Sequence, residues 1–142
     1  MAKGPPFISF CRSKSIGPER NTVKKILIID DEPDIIKIIK FRLVKMGYEV
    51  TTAADGKEGL ESVRLTKPDL VLLDFRMPFL NGDEVCKEIK KDESTKHIPV
   101  MLMTASTQDA LEENTIKMGV DDYILKPFDP EELINKIRKL IE

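Results

Sequence analysis

Three acids, Asp30, Asp31 and Glu32, follow the aliphatic run Ile26 to Ile29 without a spacer. A further acid, Asp74, closes the run "DLVLLD" (69–74). Thr104 closes "PVMLMT" (99–104), and Lys126 closes "DYILK" (122–126) just ahead of Pro127. Carboxylates gathered in one place repel and raise each other's pKa unless a counter-charge offsets them. A divalent cation would do so. Oxygen ligands alone favour Mg²⁺, Mn²⁺ or Ca²⁺ over zinc, and a small set of carboxylates suits Mg²⁺, which keeps several waters and shares phosphate oxygens. Each residue also has an ordinary explanation. An acid before Pro33 can cap a helix. Asp74 can open a turn with Pro78 and Gly82, Thr104 can simply end a strand, and Lys126 can be a surface lysine. Only their meeting at one place makes a site.

The elements needed to bring them together are legible in the pattern. Short apolar runs at 25–29, 48–53, 69–74, 99–104 and 122–126 read as strands. Several are almost continuously apolar, as expected of strands covered on both faces in a parallel sheet. Helical spacing separates them: Ile35, Ile39, Leu43 and Met46; Leu60 and Val63; Val85 and Ile89; a weaker stripe of Leu111, Thr115 and Met118 within 107–118; and Leu133, Ile137 and Leu140. The last helix has a clear start, with Asp129 as cap, Pro130 in the first turn and Glu132 placed to complete a capping box. Strand and helix alternate five times, so right-handed crossovers give a doubly wound α/β sandwich. Binding sites in such sheets lie off the carboxyl ends of the strands, which is where the acids, the hydroxyl and the amine fall.

Composition bounds the rest. At 142 residues the chain favours one domain, and 34% charged residues with a net charge of −2 give no global case for a nucleic-acid partner. No apolar run approaches the ~20 residues that span a bilayer, and "FISF" is too short for a secretory core. Cys11 and Cys86 lie far apart in dissimilar contexts and read as two thiols in a reducing compartment, hence a cytoplasmic protein. Residues 1–24 hold three prolines and five cations against Glu19, and read as a basic, flexible tail preceding a domain at 25–142.

From Lys25 onward the chain resembles the receiver domain of two-component response regulators, of the single-domain, chemotaxis-protein-like kind. The resemblance is carried by "ILIIDDE" (26–32), "LVLLDFRMPFLNG" (70–82), "VMLMTA" (100–105) and "YILKPF" (123–128), in order and at matching spacing. It implies a flavodoxin-like, five-stranded parallel sheet of order 2-1-3-4-5 with helices on both faces. It implies that Asp74 is the phosphoacceptor, taking a phosphoryl group from a sensor histidine kinase or a histidine phosphotransfer protein. Mg²⁺ would be held by Asp30, Asp31, Asp74 and the backbone carbonyl of Arg76, with Glu32 shaping the loop. Lys126 would pair with the phosphoryl group, aimed inwards by a cis bond to Pro127. Thr104 and Tyr123 would form a switch that alters the surface of the fourth helix, fifth strand and fifth helix, and so regulates a downstream protein. Such a chain catalyses only its own phosphorylation and dephosphorylation. Arg76 could modulate hydrolysis of the acyl phosphate, and small Ala105 leaves the site open.

Rival readings have specific marks. An aspartate-nucleophile phosphatase on a similar sheet carries DxDx after its first strand, whereas these acids are adjacent. A receiver-like interaction module would have lost some of the matched positions, and all are intact. A transcription factor would need a DNA-binding segment, and none is expected within the residues up to Glu142 unless the chain is a piece of a longer regulator. Output is therefore expected through protein contact, with dimerisation through the fourth and fifth helices left open. His97, the only histidine, is expected on a surface loop.

Overall fold

The computed structural model describes residues 23–77, 80–105 and 119–142. In chain order these form β1 (Lys25–Ile29), α1 (Pro33–Lys45), β2 (Glu49–Ala53), α2 (Gly56–Thr66), β3 (Leu70–Asp74), α3 (Gly82–Lys91), β4 (Val100–Thr104), β5 (Asp122–Leu125) and a C-terminal helix (Pro130–Ile141). The helical stripe at 107–118, the tail up to residue 22 and Cys11 lie outside the described residues.

All four strand pairings are parallel, and the sheet order is β2-β1-β3-β4-β5, the doubly wound arrangement expected. The continuous apolar runs have a direct cause. Alternate residues of a strand face opposite sides, so Leu27 and Ile29 enter one core while Ile26 and Ile28 enter the other. Leu70 and Leu72 oppose Val71 and Leu73 in the same way, as Met101 and Met103 oppose Val100 and Leu102. Every residue of β3 and β4 is buried, so these central strands tolerate no polar side chain except at their ends. Fully burying one such aliphatic side chain contributes about 1.5–3 kcal/mol.

The helices cover both faces. Ile39 and Leu43 of α1 and Leu133 and Ile137 of the C-terminal helix close one core; Val63 of α2 with Val85, Cys86 and Ile89 of α3 close the other. Gly59 lets α2 lie against β1, since a Cβ there would stand 2.5 Å from Ile29 Cδ1. Asp129 caps the C-terminal helix as expected, its carboxylate accepting the Glu131 N–H at 3.0 Å. A reciprocal cap pair is seen at α3, where Glu84 Oε1 accepts the Asn81 N–H at 3.2 Å.

Candidate functional site

Register brings the strand ends level. Asp74 of β3 pairs with Met103, and Thr104 of β4 pairs with Leu125. The chain then leaves each strand at one edge of the sheet. Asp30 is anchored there by its N–H, which donates to Ala53 O at 3.1 Å, and Lys126 by its N–H, which donates to Thr104 O at 2.7 Å. The Lys126–Pro127 bond is cis.

The side chains converge. Lys126 Nζ lies 3.2 Å from Asp30 Oδ2, 3.3 Å from Asp74 Oδ1 and 3.0 Å from Glu32 Oε1. Asp30 is completely buried and Asp74 nearly so, whereas Asp31 is exposed. One carboxylate oxygen from each of Asp30, Asp31 and Asp74 lies within 4.8 Å of the others. Asp30 Oδ1 also accepts the Glu32 N–H at 2.9 Å, which folds the acidic loop back on itself.

Electrostatics follow from this crowding. Burial, then the neighbouring Asp30 carboxylate, push the Asp74 pKa up to about 7, against the pull of Lys126. Burial disfavours the charged Lys126 ammonium, but Glu32, Asp74 and Asp30 outweigh it and hold its pKa above the usual lysine value. Among the described residues, the Lys126 ammonium thus faces three carboxylates, Asp30, Glu32 and Asp74. The donor set is entirely oxygen, clustered and short of positive charge, and it fits a hard divalent cation such as Mg²⁺.

Thr104 is buried at the end of β4. Tyr123 is half-buried on β5 and packs against the core beneath α2 and α3, with Lys136 Nζ 5.7 Å from its ring centre. Tyr123 pairs with Leu102, two residues before Thr104, so the threonine and tyrosine side chains share one face of the sheet. Arg76 lies two residues beyond Asp74, exposed, its guanidinium 5.5 Å from the Phe75 ring centre. His97 is exposed and borders a cleft with Lys24, Pro99 and Glu142, where the strands begin, far from Asp74.

Two residues gained roles that their types did not announce. Gly82 packs on the candidate acceptor itself: its N–H donates to Phe75 O at 2.6 Å, and a Cβ there would stand 2.6 Å from Asp74 O. Glu32 stands at the N-cap of α1 but makes no side-chain cap; its carboxylate turns to Lys126 instead. An acid before Pro33 was a natural cap from sequence, and Glu32 does not act as one.

Comparison with known proteins decides the family: residues 26–138 match the family model for the response regulator receiver domain. The chain belongs to that family. Among the receiver domain's relatives, a probable transcriptional regulator, ycf27, of Cyanophora paradoxa is 46% identical over 118 residues, covering 83% of this chain and 48% of that protein. The chain spans about half the length of the curated relatives it matches. Chemotaxis protein CheY4 of Vibrio cholerae superposes with a TM-score of 0.79 at 29% identity, over 84% of this chain and 99% of that one. The receiver domain of sensor histidine kinase PA1611 from Pseudomonas aeruginosa, solved with a magnesium ion coordinated in its active-site cleft, superposes with a TM-score of 0.75 at 32% identity, over 84% and 98%. No helix among the receiver domain's described residues is long and apolar enough to cross a membrane.

Proposed function

We propose that this receiver domain is a phosphorylation-controlled switch whose acceptor is Asp74. The observation that carries the reading is the convergence on one ammonium: Lys126 reaches both Asp30 and Asp74, at 3.2 and 3.3 Å, and these two cluster with Asp31. An Asp74 oxygen attacks phosphorus of a phosphohistidine on a sensor histidine kinase or phosphotransfer protein. The O–P bond forms as the P–N bond breaks, and the electron pair returns to the imidazole. The product is an acyl phosphate. Phosphoryl transfer depends on positioning and on neutralising charge. Lys126 supplies one cation, held in place by its carboxylate neighbours. Asp30, Asp31 and Asp74, with the Arg76 carbonyl, would hold Mg²⁺, which supplies further neutralisation of phosphoryl oxygens. Thr104 offers its hydroxyl from the end of β4.

Thr104 then acts as the sensing half of a switch with Tyr123. The phosphoryl group can shift the population only through contacts that differ between states, and a hydroxyl drawn towards it on the same sheet face as Tyr123 is such a contact. The output surface would be that of the fourth helix, fifth strand and fifth helix expected from sequence, of which β5 and the C-terminal helix lie among the described residues, read by a downstream protein or a second copy of the chain. The whole chain carries a net charge of −2, which gives no global case for nucleic acid as its direct partner. Since relatives about twice as long are named transcriptional regulators, a second reading of the output is control of transcription through a longer polypeptide. A cytoplasmic location accords with either.

Two assays side by side test the reading. Acetyl phosphate with Mg²⁺ should leave one phosphoryl group on the chain, whereas a generic phosphate monoester should be hydrolysed no faster than in buffer. Sustained phosphate release from the monoester would favour an aspartate-nucleophile phosphatase instead.

A further inference from the structure

Of the carboxylates around Lys126, the nearest is the one that its position would assign elsewhere. Glu32 Oε1 stands 3.0 Å from Nζ, closer than Asp30 or Asp74. An N-cap carboxylate ordinarily accepts a first-turn N–H, yet Glu32 makes no such bond. Its backbone is pinned by Asp30, so only its side chain is free to choose between the helix end and the lysine. That side chain is 56% exposed, in contrast to the enclosed Asp30 and Asp74. With Ala105, Lys126, Pro127 and Phe128 it borders an open cleft of about 450 Å³, and the Lys126 ammonium on that cleft stands 3.3 Å from Asp74 Oδ1.

We propose that Glu32 is a positioning residue that restrains phosphorylation, by holding Lys126 in the resting state and by placing a negative charge where an anionic phosphodonor must enter. The inference rests on Asp74 being the acceptor. An ammonium has three N–H donors, and three carboxylates occupy its neighbourhood. A phosphoryl oxygen must displace one of them. Asp30 and Asp74 are buried, and a buried carboxylate stripped of its cation is strongly destabilised. Glu32 can exchange the lysine for water at little cost because it is already more than half solvated. It is therefore the partner that gives way. The uncapped first turn of α1 offers it a second resting place, where helix N-termini favour negative charge. Until it leaves, its charge opposes a dianionic donor across a short, partly screened distance.

The test is the initial rate of phosphoryl adduct formation with Mg²⁺ and acetyl phosphate, across donor concentrations and at low and high KCl. With the donor below saturation, Glu32→Gln should react about threefold faster than wild type, and the advantage should shrink as salt screens the charge. The gain should lie mainly in the donor concentration for half-maximal rate. Glu32→Asp keeps the charge but is one methylene short of the lysine, and should fall between the two. A Glu32→Gln rate equal to or below wild type overturns the proposal. So does an advantage untouched by salt, which would mark a loop effect rather than charge. A wild-type chain that takes up no phosphoryl group overturns the acceptor reading and this inference with it.

Discussion

Lys126 Nζ sits 3.3 Å from Asp74 Oδ1, although 52 positions separate the two residues in the chain. The contact joins the end of β3 to the loop after β5, across β4. It sets a nearly buried nucleophile candidate against the one cation the described residues place on it.

Removing that cation should expose the arrangement's instability. Lys126→Ala leaves Asp30 and Asp74 buried without their counter-charge, so the metal-free domain should lose about 2–4 kcal/mol in urea unfolding. Saturating Mg²⁺ should recover part of the loss. A variant as stable as wild type without Mg²⁺ would show that the ion pair contributes nothing.

The pH dependence follows from Asp74, whose folded pKa of about 7 lies above its ordinary value of 3.8. Between these values the native state binds the extra proton, so stability falls as pH rises through the window. Without metal, Asp74→Asn should flatten that fall and make the fold more stable than wild type near about pH 8, by about 2–4 kcal/mol. Added Mg²⁺ should shrink the difference. Thermal unfolding with and without chelator checks both.

Gly82→Ala tests the close approach on the acceptor's backbone. The new Cβ would meet Asp74 O at 2.6 Å and Phe75 Cα at 2.8 Å, both main-chain atoms that cannot swing aside. Overpacking of this kind costs about 1–3 kcal/mol. Phosphorylation should slow as well, because the shift falls on the residue that must be aligned in line with the donor.

How much of this could be read beforehand differs by type of interaction. The run Ile26 to Ile29 announced a strand buried on both faces, and β1 is one; the parallel order followed from strand and helix alternating. Asp30, Asp74, Thr104 and Lys126 were legible because each ends or directly follows a strand, and a parallel sheet gathers strand ends at one edge. Glu32 and Gly82 were not. An acid before Pro33 looks like a cap whether or not its side chain turns away, and a glycine in a turn does not reveal how closely a distant carbonyl passes. Both depend on loop paths that spacing does not encode.

The switch can be followed through Tyr123. If Thr104 transmits the change, NMR signals of the Tyr123 ring should shift when the acceptor is phosphorylated, and Thr104→Ala should suppress that shift while adduct still forms. An unaltered response in Thr104→Ala would place the coupling elsewhere.

Intact mass after incubation with acetyl phosphate and Mg²⁺ addresses the central claim most directly. Asp74 as acceptor predicts one phosphoryl adduct on the wild-type chain, lost on chelation and lost in Asp74→Asn. An adduct that persists undiminished in Asp74→Asn would contradict it.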